Sequence, residues 1–218
     1  MKCPRPAPVL LVVLLCACAS SPPARFYTLH AQRGDGAQAQ PAAAGDAPRV
    51  HMFDAATLSI VIDEVRVPEI VDRQQMVLRT GPAEVRVDEF ARWAEPLKQQ
   101  IAGVLAADLA RTFPGGVVST SPQWAGQEQS FHVSVDVQTF ESAQGRAATI
   151  VALWTVRPPD GAAPGRGLTT IQESVRGQDY EALVDAHSRA LANVSADIAQ
   201  VIAALNRAPA SPRRRPPS

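Results

Sequence analysis

The sequence predicts an α/β domain: a mixed β-sheet packed with two long helices, in the order strands, helix, strands, helix. Three observations carry that expectation. Two stretches repeat apolar residues at three- and four-residue intervals, one ending near Phe113 and one running on from Asp179. Short β-rich segments lie before and between them, and the alternation of Val133, Val135 and Val137 is the clearest. Gly/Pro clusters punctuate the chain where one pattern gives way to the next.

Composition agrees with one domain and some non-globular sequence attached. The chain has 218 residues, of which 46% are hydrophobic, 5% aromatic and 19% charged. Lys+Arg and Asp+Glu both number 21, so there is no overall signature of nucleic-acid binding.

The first residues have the order of an export signal: Lys2 and Arg5, an apolar run from Ala7 to Leu15, then small residues. The run is shorter than the roughly 20 residues a spanning helix needs. It ends in Leu15-Cys16-Ala17-Cys18, which resembles the bacterial lipobox, where cleavage falls just before a cysteine that carries diacylglycerol. Cys18 fits because small residues precede it, and Cys16 fits poorly because Leu14 and Leu15 do. The expected cut is therefore between Ala17 and Cys18. The expected modification is a covalent N-acyl diacylglycerol on Cys18. The alternative is an ordinary cleaved signal with a free thiol nearby. The cysteines are Cys3, Cys16 and Cys18, so cleavage leaves one cysteine and no disulfide or thiolate metal site. Several acyl chains, each contributing about 0.8 kcal/mol per buried CH₂, make a durable anchor. Ala19 follows the cysteine, without the Asp typical of inner-membrane retention, so the periplasmic face of the outer membrane is the expected address.

Residues 18–30 read as anchor, tether and a first short strand in "RFYTL". Residues 31–49, rich in Ala, Gly, Gln and Pro, are expected to be disordered. The globular domain is expected over 50–206. "LSIVIDEVRVP" reads as a strand with an irregularity near Asp63-Glu64, and "QQMVLRTGPAEVRV" as a hairpin around Gly81-Pro82. A helix from an Asp88 N-cap to Phe113 follows, with Phe90, Trp93, Leu97, Ile101, Val104, Leu105 and Leu109 on one stripe. Phe113-Pro114-Gly115-Gly116 stops it. "FHVSVDVQTFE", "AATIVALWTVRP" and "GLTTIQESVRG" are the next strands. Asp179 caps the last helix, whose stripe is Leu183, Leu191, Val194, Ile198, Val201 and Leu205. The Pro- and Arg-rich stretch 207–218 is expected to be a disordered basic tail. The signal takes Lys2 and Arg5 with it, so the mature chain carries a formal −2, and Arg213–Arg215 set aside leaves −5 on the body.

Catalysis finds no support in these patterns. His132, Ser134 and Asp136 share one strand face, but residues two apart on a strand are about 6.5 Å apart, beyond hydrogen-bond reach. No G-x-S-x-G, Walker A or strand-borne G-x-G-x-x-G occurs. "GAAPGRG" has no following helix with which to bind an anion. His30, His51, His132 and His187 are scattered, without metal-ligand spacing, so neither a metal nor a dissociable cofactor is expected.

"RWAEPL" sets Trp93 between opposite charges ahead of Pro96. Its plain reading is a core tryptophan and a helix that starts late. Its functional reading makes Arg79, Arg92, Trp93 and Glu95 candidates for a partner interface.

A lipobox, then "RFYTL", a strand ending in Pro68, "RTGP", and "RWAEPL" heading a helix together resemble the ABC-type transport auxiliary lipoproteins, the PqiC-like family. The resemblance runs from about Arg25 to Leu205, and the insert and the tail depart from it. It implies a non-enzymatic envelope component whose partner is an MCE-domain periplasmic conduit. Through the conduit it would serve an inner-membrane permease and ATPase that move phospholipid or similar apolar cargo. Homo-oligomerisation is left open. The competing expectation is a lipoprotein that binds a lipid, small molecule or cell-wall component itself, which calls for an apolar cavity.

Overall fold

The computed structural model of the chain describes residues 22–32, 58–121, 123 and 129–207. Ala17 and Cys18, the insert beyond Gln32 and the tail from residue 208 lie outside the described residues. The elements begin with β1 (Arg25–Tyr27), β2 (Ser59–Arg66), β3 (Gln75–Arg79), β4 (Val85–Trp93) and α1 (Leu97–Thr112). They continue with β5 (Val117–Ser119), β6 (Ser130–Ala143), β7 (Ala147–Arg157), β8 (Gly165–Ser174) and α2 (Tyr180–Arg207). A single 3₁₀ turn, Glu69–Val71, joins β2 to β3.

All eight strands belong to one mixed sheet, and β6 is its spine. Along one edge, β6 pairs in parallel with β2 over Ser130–Asp136 and then with β3 at Ser142. Its other edge pairs antiparallel with β7, which pairs with β8. β4 lies antiparallel to β3 and carries β1 in parallel on its outer side, and β5 closes the far side of β2. Fourteen residues make β6 long enough to serve two partners in turn. A register shift between Val137 and Thr139 separates the two halves and keeps Phe140 and Ser142 buried as Val133, Val135 and Val137 are.

The irregularity expected at Asp63-Glu64 is present as a register shift between Ile62 and Glu64. One extra residue turns the buried series Ile60, Ile62 into Val65, a step of three where an unbroken strand allows only two. Gly165 and Gly167, at the start of β8, leave room for side chains. A Cβ at Gly167 would meet the Trp154 ring at 2.1 Å, and one at Gly165 would meet Val201 at 2.3 Å.

Both helices pack on the sheet and on each other, α1 over β2 and β5, α2 over β7 and β8. Asp179 caps α2 as expected, its Oδ1 accepting from the Ala182 amide at 2.7 Å. Leu183, Leu191, Val194 and Ile198 are buried, and Val201 and Leu205 are half-buried. Full burial of each such aliphatic side chain contributes about 1.5–3 kcal/mol, so the stripe is the main hold on α2. Asp108 of α1 pairs with Arg111 and accepts from Ser195 of α2. Burial pushes its carboxyl up in spite of those partners.

The first helix differs from expectation. Residues Val85–Trp93 form β4, and α1 begins only at Leu97. Pro96 disfavours helical backbone at Glu95 and brings no amide of its own, which suits the entry to a helix and not its third turn. Asp88 therefore caps no helix. Its Oδ1 accepts from the amides of Phe90 and Ala91, stabilising an irregular stretch where the pairing passes from Met76↔Asp88 to Gln75↔Arg92. The helical spacing of Phe90 and Trp93 is coincidental, since Trp93 is buried from the sheet and Phe90 is 44% exposed. β5 has no counterpart in the expected strands, because three half-buried residues, Val-Val-Ser, are too few to show a period.

Candidate docking surfaces

The four residues singled out in the sequence do not form one site. Trp93 is 3% exposed and meets Phe140 edge to face with centroids 6.0 Å apart, so it belongs to the core and offers no surface. Arg79 and Arg92 lie toward opposite ends of the β3–β4 hairpin, Arg79 opposite Val85 and Arg92 opposite Gln75. Arg92 folds back so that its Nε donates to the Glu89 carbonyl. Glu95 is exposed, and its carbonyl accepts from Gln100, which in turn accepts from the Leu29 amide at 2.7 Å. This segment clamps the chain leaving β1 onto α1.

At the other end of the hairpin the Arg79 guanidinium pairs with Glu141 at 3.0 Å. Beside it is a shallow cavity of about 200 Å³ lined by Pro68, Ile70, Val71, Val77, Val85 and Phe140, among others. Ile70 is 50% and Val85 38% exposed. An arginine fixed by an ion pair between exposed aliphatic side chains has the composition that protein partners use for anchoring contacts.

An open groove of about 700 Å³ runs between β2 and the start of α1. Its walls carry Asp63, Glu64, Arg66, Asp72 and Lys98, and Lys98 spans to Asp72 at 3.0 Å. The extra residue in β2 gives Asp63 a structural task. One oxygen meets His132 Nδ1 and the other accepts from Arg157, each at 2.8 Å, which ties β2, β6 and β7 together. Sequence reasoning missed this brace, although the broken period at Asp63 was its signal. Among the described residues no three His, Cys, Asp or Glu side chains gather as a metal site. The groove mixes these charged walls with the apolar Ile62, Val65, Val67 and Ala102.

These surfaces sit on a fold with known relatives. The family described as ABC-type transport auxiliary lipoprotein component matches residues 37–199. The chain belongs to that family. Its members are auxiliary parts of ABC transport systems and are lipoproteins, which places the chain in the cell envelope. No helix among the described residues is long and apolar enough to cross a membrane. The chain is similar to a crystal structure of an uncharacterized protein, at 25% identity and a TM-score of 0.60, over 67% of this chain and 92% of that one. It is also similar to the crystal structure of protein XCC0632 from Xanthomonas campestris, at 20% identity and a TM-score of 0.54, over 73% of this chain and 95% of that one, which speaks to the fold alone. Among curated proteins, none matches.

Proposed function

We propose that this protein is an outer-membrane lipoprotein, facing the periplasm, that docks an MCE-domain conduit of an ABC transport system carrying phospholipid or similar apolar cargo, and that it has no catalytic activity of its own. The match to the transport auxiliary family over residues 37–199 carries the reading, and the lipobox at Cys18 supplies its membrane address. A domain confined to one membrane needs only modest affinity for a partner that reaches that membrane, because confinement raises local concentration. Of the sequence-predicted interface set, Arg79 is best placed to meet that partner. It stands on the surface beside Ile70 and Val85, whereas Trp93 is in the core.

Crosslinking in intact envelopes, affinity purification and mass spectrometry, comparing the native chain with Cys18→Ser, test the proposal. Capture of an MCE-domain protein that falls with Cys18→Ser is the expected result. An acylated chain that brings down no transport component would overturn it and favour the direct-binding alternative.

A further inference from the structure

Among the described residues, Phe26 and Phe90 are the aromatic members of the set of large hydrophobic side chains that stand out in solvent, at 60% and 44% exposure. Both lie at one margin of the sheet. Phe26 is on β1, the edge strand, and Phe90 is on β4, next to Ala91, which pairs with Arg25. Strand alternation turns Tyr27 inward, where its ring meets that of Tyr180 at 5.5 Å, and so turns Phe26 outward. Phe90 lines a shallow cavity of about 230 Å³ with Pro22, Pro23 and Arg25, on the side of the edge where Tyr27 meets Tyr180. Neither phenylalanine has a core role.

Their position along the chain gives them an occupant. Pro22 is four residues after Cys18 and Phe26 is four further on. A fully extended chain covers at most about 3.6 Å per residue, so Pro22 is within roughly 14 Å of the acylated sulfur's own residue. β1 is also firmly held to the body. Ala94 donates to the Tyr27 carbonyl at 2.9 Å, and the residues that follow are bonded to Gln100 and Ser188. An anchor at Cys18 therefore pulls on this edge. We infer that the β1–β4 edge, with its exposed Phe26 and Phe90, rests in the interfacial layer of the lipid membrane that holds Cys18. Arg86 and Arg92 are paired with Asp88 and Glu89, which leaves Arg25 as the basic residue of the edge suited to lipid phosphate.

The inference rests on the proposed function only for the lipid on Cys18. The mature chain has no other cysteine, so Phe26→Cys, Phe90→Cys and Leu168→Cys each give one labelling site once Cys18 is acylated. Leu168, on β8, is 61% exposed and lies at the opposite edge of the sheet, five strand spacings or roughly 24 Å from β1. The acylated full chain carrying an environment-sensitive fluorophore at each site is reconstituted into phosphatidylethanolamine/phosphatidylglycerol vesicles that contain a lipid-borne quencher. Expected is quenching at positions 26 and 90 several-fold greater than at 168. Equal quenching at all three sites, or more at 168, overturns the inference. Mass spectrometry of the same samples separates the two failures. An unacylated chain sinks both the anchor and this face, while an acylated chain with an unquenched label at 26 sinks this face alone.

Discussion

The imidazole of His187 lies flat on the ring of Phe140, with centroids 4.0 Å apart and planes within 5°. Its Nε2 meets Ser142 Oγ at 2.8 Å, and its Nδ1 has no hydrogen-bond partner among the described residues. The pair joins α2 to the central strand of the sheet at a point sealed from water.

Burial pushes His187 down to about 3. In the unfolded chain it titrates near 6.5, so between those values the unfolded state holds one more proton than the folded state. Stability is therefore complete above pH 6.5 and declines as the pH falls toward 3, by as much as about 1.4 kcal/mol per pH unit from this group. His187→Phe removes that dependence but strands the buried Ser142 hydroxyl, which costs about 1–3 kcal/mol. The variant should be less stable than the native protein at pH 7.5, and the gap should close as the pH approaches 4.5. Urea midpoints across that range decide the matter, and parallel curves would refute it.

Trp93→Ala separates core from interface. Removing a buried tryptophan costs about 3–5 kcal/mol, which in a domain of this size lowers Tm by roughly 6–20 °C. The edge-to-face contact with Phe140 is lost with it, so helix-side packing near His187 should loosen too. A thermal melt showing an unchanged Tm together with lost partner capture would return Trp93 to the surface.

The features legible in the sequence were those with a long period or a strong local signal. α2 announced itself through its cap and a stripe of six apolar residues, and the extra residue in β2 showed as a step of three between Ile62 and Val65. The sequence pattern overextends α1 because Phe90 and Trp93 happen to fall at helical spacing ahead of Leu97, and only tertiary pairing of β4 with β3 and β1 decides otherwise. The plain reading of Pro96 as a late helix start was the physically stronger signal. Surface candidates were less legible still. Arg79 and Arg92 are close in sequence, but hairpin register sends them to opposite ends, and nothing local distinguishes an exposed tryptophan from a buried one.

Tyr180 offers a spectroscopic check on how β4 meets α2. Its hydroxyl donates to Asp88 Oδ2. Burial first, and then the hydrogen bond and charge of Asp88, push the phenol up to about 12. Burial raises the Asp88 carboxyl, but the hydrogen bonds from Tyr180 and from the amides of Phe90 and Ala91, with Arg86 nearby, outweigh it and hold it below the usual range. For a raised phenol the stabilising effect is present in full below about pH 10 and is lost as the pH rises toward 12. The chain has two tyrosines, so absorbance at alkaline pH should show one late step. Tyr180→Phe should abolish that step, and Asp88→Asn should move it to lower pH. A late step that survives Tyr180→Phe would refute the assignment.

The Arg79 patch is tested by charge reversal with a matched control. Arg79→Glu sets a carboxylate against Glu141, and Val85→Asp puts a charge among Ile70, Val77 and Pro68. Arg79 and Glu141 are each about one-third exposed at the side chain, so the lost ion pair should cost about 1 kcal/mol or less, and the fold should survive both changes. A docking contact is more sensitive, because an unpaired charge facing an apolar partner surface must lose its water to be covered. Both variants should therefore reduce capture of the conduit protein at least tenfold while Tm stays within a few degrees of native. Leu168→Asp, at the far edge of the sheet, should leave capture unchanged, since that residue lies on neither the docking patch nor the membrane-facing edge. If Leu168→Asp abolishes capture and Arg79→Glu does not, the conduit docks on the β7–β8 side of the sheet, where Leu153 and Leu168 face each other across the two strands.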